Sequence, residues 1–234
     1  MPKVLKPFTS LRQSIVKRIY RAPPIARFIS RQFHRSFYYS RNATWKDTYW
    51  FGAPVLKCPL DLWVYQEILS TLKPAVIIEC GTNRGGSAYY MGTVCDLIGH
   101  GTIVTIDIMD IKAGHPTHPR ATYLIGSSTS EAIVRQVREF VGDRTPVMVV
   151  LDSDHTRDHV LKEMELYGPL VTPGSYIIVE DSNINGHPVN PASGPGPMEA
   201  IDAFLARNDA FAVDASREKY FLSFNPRGYL KRVK

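Results

Sequence analysis

Five short runs of almost uninterrupted apolar residues constrain this chain more than any other feature: Ala75–Glu79, Ile103–Asp107, Thr122–Ile125, Val147–Leu151 and Tyr176–Glu180. Each is bounded by turn residues. Segments of helical periodicity fill the gaps at Ser87–Leu97, Ser130–Phe140 and Thr156–Tyr167, and another, Asp61–Leu72, precedes the first run. Strands that are apolar on both faces must be covered on both faces, which is the situation of a parallel sheet wound with helices. The pattern predicts an α/β, doubly wound, Rossmann-like sheet with helices on both faces. After a Gly/Pro-rich stretch, Pro197–Arg207 reads as a further helix, and Ala210–Asp214 and Tyr220–Phe224 read as late strands that close the sheet.

Charge divides the chain as sharply as patterning does. Residues 1–46 hold eleven Lys/Arg and no acid, which leaves 17 basic against 22 acidic residues in 47–234, a balance of −5. We therefore separate a basic amphipathic arm, 1–46, from a single domain, 47–234. Within the arm Phe8, Leu11, Ile15 and Ile19 recur at helical spacing, Pro23-Pro24 interrupts, and Phe28, Ile29, Phe33 and Phe37 follow. Basic and apolar faces together suit an anionic membrane surface; a solvated tail, a partner contact and an acid-poor transit segment share the same composition. The acidic balance of the domain argues against a nucleic-acid partner. No run approaches the ~18 apolar residues of a membrane span, and no secretory apolar core is present, so a cytoplasmic protein, at most peripheral to the inner membrane face, is expected. Cys58, Cys80 and Cys95 form neither a C-x-x-C pair nor an even set, which points to a reducing compartment. The sequence leaves open whether the chain forms a homo-oligomer.

The first strand runs into Glu79-Cys-Gly-Thr-Asn-Arg-Gly-Gly-Ser87. Gly81 permits a tight turn, and Gly85 and Gly86 let a ligand and the next helix come close, although strand-to-helix turns also use glycine for structure alone. The spacing Gly-x-x-x-Gly-Gly differs from the pyrophosphate pattern Gly-x-Gly-x-x-Gly and fits a cofactor that brings an amino acid and a sulfonium to the loop. Asp107 ends the second strand, 26 residues after Gly81, where it is placed to accept ribose hydroxyls or to cap a helix. Ser127 and Ser128 follow the third strand where an adenine edge would lie, or serve as caps of the helix beginning near Ser130. Asp152 ends the fourth strand and the pair Glu180-Asp181 the fifth. Three carboxylates converging on one crevice repel each other unless a cation neutralises them, and an all-oxygen set points to Mg2+ or a similar hard ion. Asp154 is the alternative to Asp152. His155, at the start of the next helix, is a candidate general base, with His159 one turn further as its rival. The Gly/Pro-rich stretch 183–197 is long for a connection and follows the acid pair, which suggests a lid over the acceptor.

Together with Gly126-Ser-Ser-Thr129, Leu151-Asp-Ser-Asp-His-Thr156, Pro173-Gly-Ser-Tyr176, Val179-Glu-Asp181 and Gly194-Pro-Gly-Pro197, the glycine turn resembles the bacterial family named for cephalosporin hydroxylase and rhamnosyl O-methyltransferase, over residues from about 50 to 232. The resemblance implies a methyltransferase fold, with S-adenosylmethionine at the glycine turn contacted by Glu79, Gly81, Thr82, Gly85, Gly86, Ser87, Asp107, Ser127, Ser128 and Asp152. It also implies Mg2+ on Asp152, Glu180 and Asp181, a base at His155, and a sugar, free or lipid-linked, as the small-molecule or glycolipid acceptor. Cys80 departs from the small residue common there, and the basic arm lies outside the shared core. Two other readings are weaker. An iron hydroxylase needs a His-x-acid step, and none of the seven histidines has an acid two residues later; a vestigial, scaffold-type site would not keep the acid cluster intact.

Overall fold

The computed structural model describes residues 16–109, except 17 and 21, and residues 116–234. Seven strands form one sheet: β3 (Val76–Cys80), β4 (Thr102–Asp107), β5 (Ala121–Ile125), β6 (Val147–Leu151), β7 (Tyr176–Val179), β8 (Phe211–Val213) and β9 (Tyr229–Arg232), in the order β5-β4-β3-β6-β7-β9-β8. Two shorter strands, β1 (Tyr49–Trp50) and β2 (Ala53–Pro54), pair separately as a hairpin. The first five strands of the sheet are parallel, while β9 pairs antiparallel with both β7 and β8. From β3 the chain winds outward to β5, then returns to build β6 and β7 on the other side. The reversal between β3 and β6 opens a crevice at their carboxyl ends.

Alternation along the strands divides the core. Val76, Ile78 and Cys80 face α4 (Glu131–Val141), α5 (Arg157–Tyr167) and α6 (Pro197–Leu205), where Val137, Met164, Tyr167, Ile201 and Phe204 bury them. Ile77, Ile103 and Met148 face α2 (Pro59–Leu72) and α3 (Gly86–Ile98), packing on Ile68, Leu69 and Met91. No helix among the described residues is long and apolar enough to cross a membrane.

Two elements differ from the sequence expectation. Tyr220–Phe224 is not a strand. The Asp61 carboxylate on α2 accepts the Ser223 hydroxyl at 2.7 Å and the Phe224 amide at 2.8 Å, taking up a backbone donor that a strand would offer its neighbour. The closing strand is β9, whose Leu230 sits opposite Ile177 of β7. The second difference concerns α1 (Pro23–Tyr38), which begins at the expected Pro23-Pro24 break, since a proline at the first helical position forfeits no intrahelical bond, but which does not stand off as a free arm. The end of α1 is docked on the domain. Phe37, Tyr38 and Trp45 surround Phe224 and Leu222, and the buried His34 ring stacks on Phe224. The expected apolar positions Phe8, Leu11 and Ile15 lie outside the described residues.

Candidate functional site

The crevice is bounded by backbone before any side chain enters it. The Asp152 amide donates to the Cys80 carbonyl at 2.8 Å, and a Cβ on Gly81 (φ +99°) would stand 1.9 Å from the Asp152 carbonyl oxygen. Only glycine lets β3 and β6 diverge this closely. Gly86 has a different role: a Cβ there would meet the Pro54 carbonyl at 2.1 Å, so it admits the β1–β2 hairpin against the start of α3. Gly85 is the left-handed N-cap of α3 (φ 73°).

Around the turn the expected cofactor residues form a connected set. Glu79 is fully buried. Its Oε2 accepts the Thr105 hydroxyl at 2.6 Å, Thr105 and Thr82 share a hydroxyl contact at 2.7 Å, and the buried Ser87 lies beside it. Its Oε1 is buried with no partner. Burial pushes the Glu79 carboxyl up to about 7 against the opposing pull of Lys57, Ser87 and Thr105. An unpartnered buried carboxylate oxygen beside a glycine turn is a place for an ammonium or amide donor of a ligand. Asp107 uses its carboxylate on backbone, accepting Asn83 N at 2.8 Å and Met109 N at 3.0 Å, and so folds the mouth of the crevice. Ser127 contacts Thr129 at 3.1 Å. Ser128 is turned inward: its hydroxyl donates to the fully buried Glu163, which also takes the Ser153 hydroxyl at 2.6 Å and lies 3.3 Å from His159. His159 thus belongs to a network beneath the crevice, and Ser130, not Ser127 or Ser128, caps α4.

At the carboxyl ends of β6 and β7, the chain supplies a cation of its own. Lys57, buried just ahead of α2, donates to Asp152 Oδ2 at 2.5 Å and to Glu180 Oε1 at 2.6 Å, and Tyr65 of α2 adds a hydroxyl to Glu180 Oε1 at 2.6 Å. On the open side, His155 Nε2 lies 3.3 Å from Asp152 Oδ1 and 3.5 Å from Asp181 Oδ2. Asp152, His155 and Asp181 each offer a ligand atom within 4.8 Å of the others, whereas Glu180 is bonded to Lys57 and Tyr65 on the inner side. Asp181 holds a left-handed conformation (φ 51°) and its amide donates to Asn225 Oδ1 at 3.2 Å, which turns its side chain away from the strand direction. Asp154 accepts the Thr156 amide at 2.8 Å, the role of a turn-capping acid at the start of α5.

The charges are unevenly compensated. Burial disfavours the Lys57 ammonium, yet Asp152, Glu180 and Glu79 outweigh it and hold this lysine above its ordinary range. Burial pushes Asp152 up, but Lys57 and His155 bring it down to about 2. Burial, with Asp152 alongside, raises Glu180 to about 8 and raises Asp181 as well. His155 is lowered by burial but raised to about 9 by its bond to Asp152 and the charges of Asp181, Asp152 and Glu180. One ammonium thus faces three carboxylates, and protons held on His155 and Glu180 offset the rest of the negative charge. A hard cation among oxygen donors fits this set, because it would take the place of those protons.

Sequence reasoning reached Glu79, Asp152, Glu180 and Asp181 but not Glu163, Lys57 or Tyr65. Lys57 stands 95 residues from Asp152 and 123 from Glu180, with no local pattern to mark it. The usable signal was the requirement that three clustered acids find a cation, which a buried lysine meets as well as a metal.

Residues 42–233 match the family model described as Rhamnosyl O-methyltransferase/CmcI. A protein named rhamnosyl O-methyltransferase from Mycobacterium bovis (strain BCG / Pasteur 1173P2) is 40% identical over 213 residues, covering 87% of this chain and 85% of that protein. Its namesake from Mycobacterium leprae (strain TN) is 39% identical over 212 residues, covering 87% and 90%. Among solved structures, one described as cmcI-D160 Mg-SAM shares the fold with a TM-score of 0.62 at 23% identity, over 81% of this chain and 78% of that one.

Proposed function

The chain belongs to the Rhamnosyl O-methyltransferase/CmcI family, and we propose that it transfers the methyl group of S-adenosylmethionine to a sugar hydroxyl in a magnesium-dependent reaction. The observation that carries this reading is the gathering of Asp152, Asp181 and His155 beside the glycine turn, where three carboxylates share one lysine. The name of the two mycobacterial relatives supports a rhamnosyl unit as the acceptor. The basic arm supports an acceptor that is lipid-linked.

Each group has a definable task. The buried, unpartnered Oε1 of Glu79 would receive the ammonium of the cofactor's amino-acid end, and Asp107 its ribose hydroxyls. Asp152 and Asp181 would hold magnesium, with Glu180 fixed behind them by Lys57 and Tyr65. The ion would supply Lewis acidity that lowers the pKa of a sugar hydroxyl. With its own proton given up to solvent, His155 Nε2, between the two carboxylates, would take the one the hydroxyl loses as the oxygen attacks the methyl carbon. The sulfonium departs as a neutral thioether, so the protein need only align and deprotonate the nucleophile.

The test is methyl transfer from labelled S-adenosylmethionine to a soluble rhamnoside, with and without EDTA. Chelation should abolish turnover, as should Asp181→Asn, a replacement that tolerates the left-handed backbone, while cofactor binding survives in both cases. Turnover untouched by EDTA would remove the metal from the reaction.

A further inference from the structure

Helix α1 has two working faces. On one, His34 is buried, stacks on Phe224 with ring centroids 5.5 Å apart, and contacts Asn183 Nδ2 through Nε2 at 2.9 Å. Arg35 Nε donates to the Pro188 carbonyl at 3.2 Å, and the Asn190 amide donates to the Tyr39 hydroxyl at 2.6 Å. All three bonds reach the segment that follows Glu180-Asp181, so the helix braces the loop expected to cover the acceptor.

The other face is unpartnered among the described residues. Ile25, Phe28, Ile29 and Phe33 are all exposed, Phe28 at 65% and Phe33 at 52%. At about 100° per residue they form an arc of roughly 140° on the side away from His34. At the same spacing Arg35 and then Arg31 follow the Phe28 edge of that arc, Arg27 falls on the His34 side, and the helix contains no acid. Residues 1–22 add six further basic residues and again no acid. Large apolar side chains rimmed by guanidinium groups complement a surface of acyl chains beneath anionic headgroups. A second copy of the helix would instead bring like charges together.

We propose that α1 lies on an anionic bilayer through Ile25, Phe28, Ile29 and Phe33, while its opposite face holds the 183–190 segment, so that the acceptor side of the crevice is presented at the membrane. This rests on the reading of a lipid-linked sugar acceptor. Arg31, beyond the Phe28 edge of the arc, takes a headgroup phosphate.

The experiment uses the full chain without cofactor or acceptor, sedimented with phosphatidylcholine vesicles that contain or lack phosphatidylglycerol. Wild type should sediment only with the anionic vesicles and be released by raised salt, which screens the charges. Phe28→Ser/Phe33→Ser should bind about tenfold or more weakly, given the apolar area withdrawn from the lipid, with an unchanged thermal melt. Arg31→Gln should weaken binding without any loss of exposed apolar area, which guards against a misfolded first variant. Bound vesicles should slow amide exchange across 183–190. No sedimentation by wild type, equal sedimentation by both variants, unchanged exchange at 183–190, or dissociation of an oligomer as the only effect of the phenylalanine changes would each overturn the proposal. Methyl transfer to a soluble rhamnoside, run in parallel, reports on the enzymatic reading alone: its failure beside intact vesicle binding sinks that reading and leaves this one standing.

Discussion

Lys57 sets the behaviour of the acids around it, because a buried carboxylate pair without its ammonium is an uncompensated charge. Removing one partner from such a cluster costs on the order of 3–5 kcal/mol. Lys57→Met, which preserves the length and packing of the stem, should therefore melt well below wild type in EDTA. Added Mg2+ should recover more stability in the variant than in wild type, since the cation then has three uncompensated carboxylates to satisfy. Calorimetric melts with and without Mg2+ measure both; a variant as stable as wild type in EDTA would show that Asp152 and Glu180 do not depend on the lysine. Asp107 tests the other side of the crevice. Asp107→Ala should weaken S-adenosylmethionine binding by about 1–3 kcal/mol, read by titration calorimetry. Part of that loss would come from freeing the Asn83 and Met109 amides, not from ribose alone. The two residues also mark what one sequence discloses. Asp107 is legible because it ends an apolar strand at a fixed distance from a glycine turn, whereas Lys57 acquires its meaning only from chain folded in much later.

At the scale of elements, the parallel strands were the most legible part of the fold, since strands buried on both faces need continuous apolar runs and each helix between them shows its own period. The antiparallel end was legible only in part. The edge strand β8 lies within the expected Ala210–Asp214, but Tyr220–Phe224, which has the aromatic content of a strand, is held as a loop by the Asp61 carboxylate, while β9, between β7 and β8, hides half its length in Lys231 and Arg232. Helix α1 lies where its apolar period places it, but its docking on the domain is not legible, because composition counts its arginines and not the one histidine that anchors it. That histidine makes docking pH-dependent. Burial lowers His34 from 6.5 to about 4, so the docked state resists the proton that the undocked helix accepts below 6.5. The contribution is complete above pH 6.5 and is lost as pH falls toward 4, by up to about 3 kcal/mol. Amide exchange across 23–38, corrected for its intrinsic pH dependence, should accelerate over that window. His34→Gln, which keeps a partner for Asn183 but cannot titrate there, should show a flatter profile; identical profiles would assign the effect to other groups.

For the whole molecule, the division of charge at residue 46 is not a division of structure. The arm carries the positive charge, yet its last helix contributes His34, Phe37 and Tyr38 to a cluster closed by Trp45, Leu222 and Phe224, and it braces the loop beyond the acid pair. Where the chain is cut should therefore matter in a way the charge pattern alone does not foresee. A chain beginning at Ala22 keeps the whole of α1 and should melt as the full chain does, with cofactor affinity unchanged. A chain beginning at Trp45 loses the His34–Phe224 stack and the packing of Phe37 and Tyr38, and exposes Phe224 and Leu222. Deleting buried aromatic packing of this kind costs about 2–4 kcal/mol even when part of the site relaxes. The shorter chain should melt lower, exchange faster across 183–190 where Asn183 and Asn190 have lost their partners, and lose acceptor turnover more than cofactor affinity, because Glu79 and Asp107 stand on β3 and β4 and not on the segment that α1 braces. Thermal melts, exchange rates and separate measurements of KM for the acceptor and Kd for S-adenosylmethionine on the two chains decide the matter. Equal stability and equal acceptor KM would mean that α1 rests on the domain without supporting it.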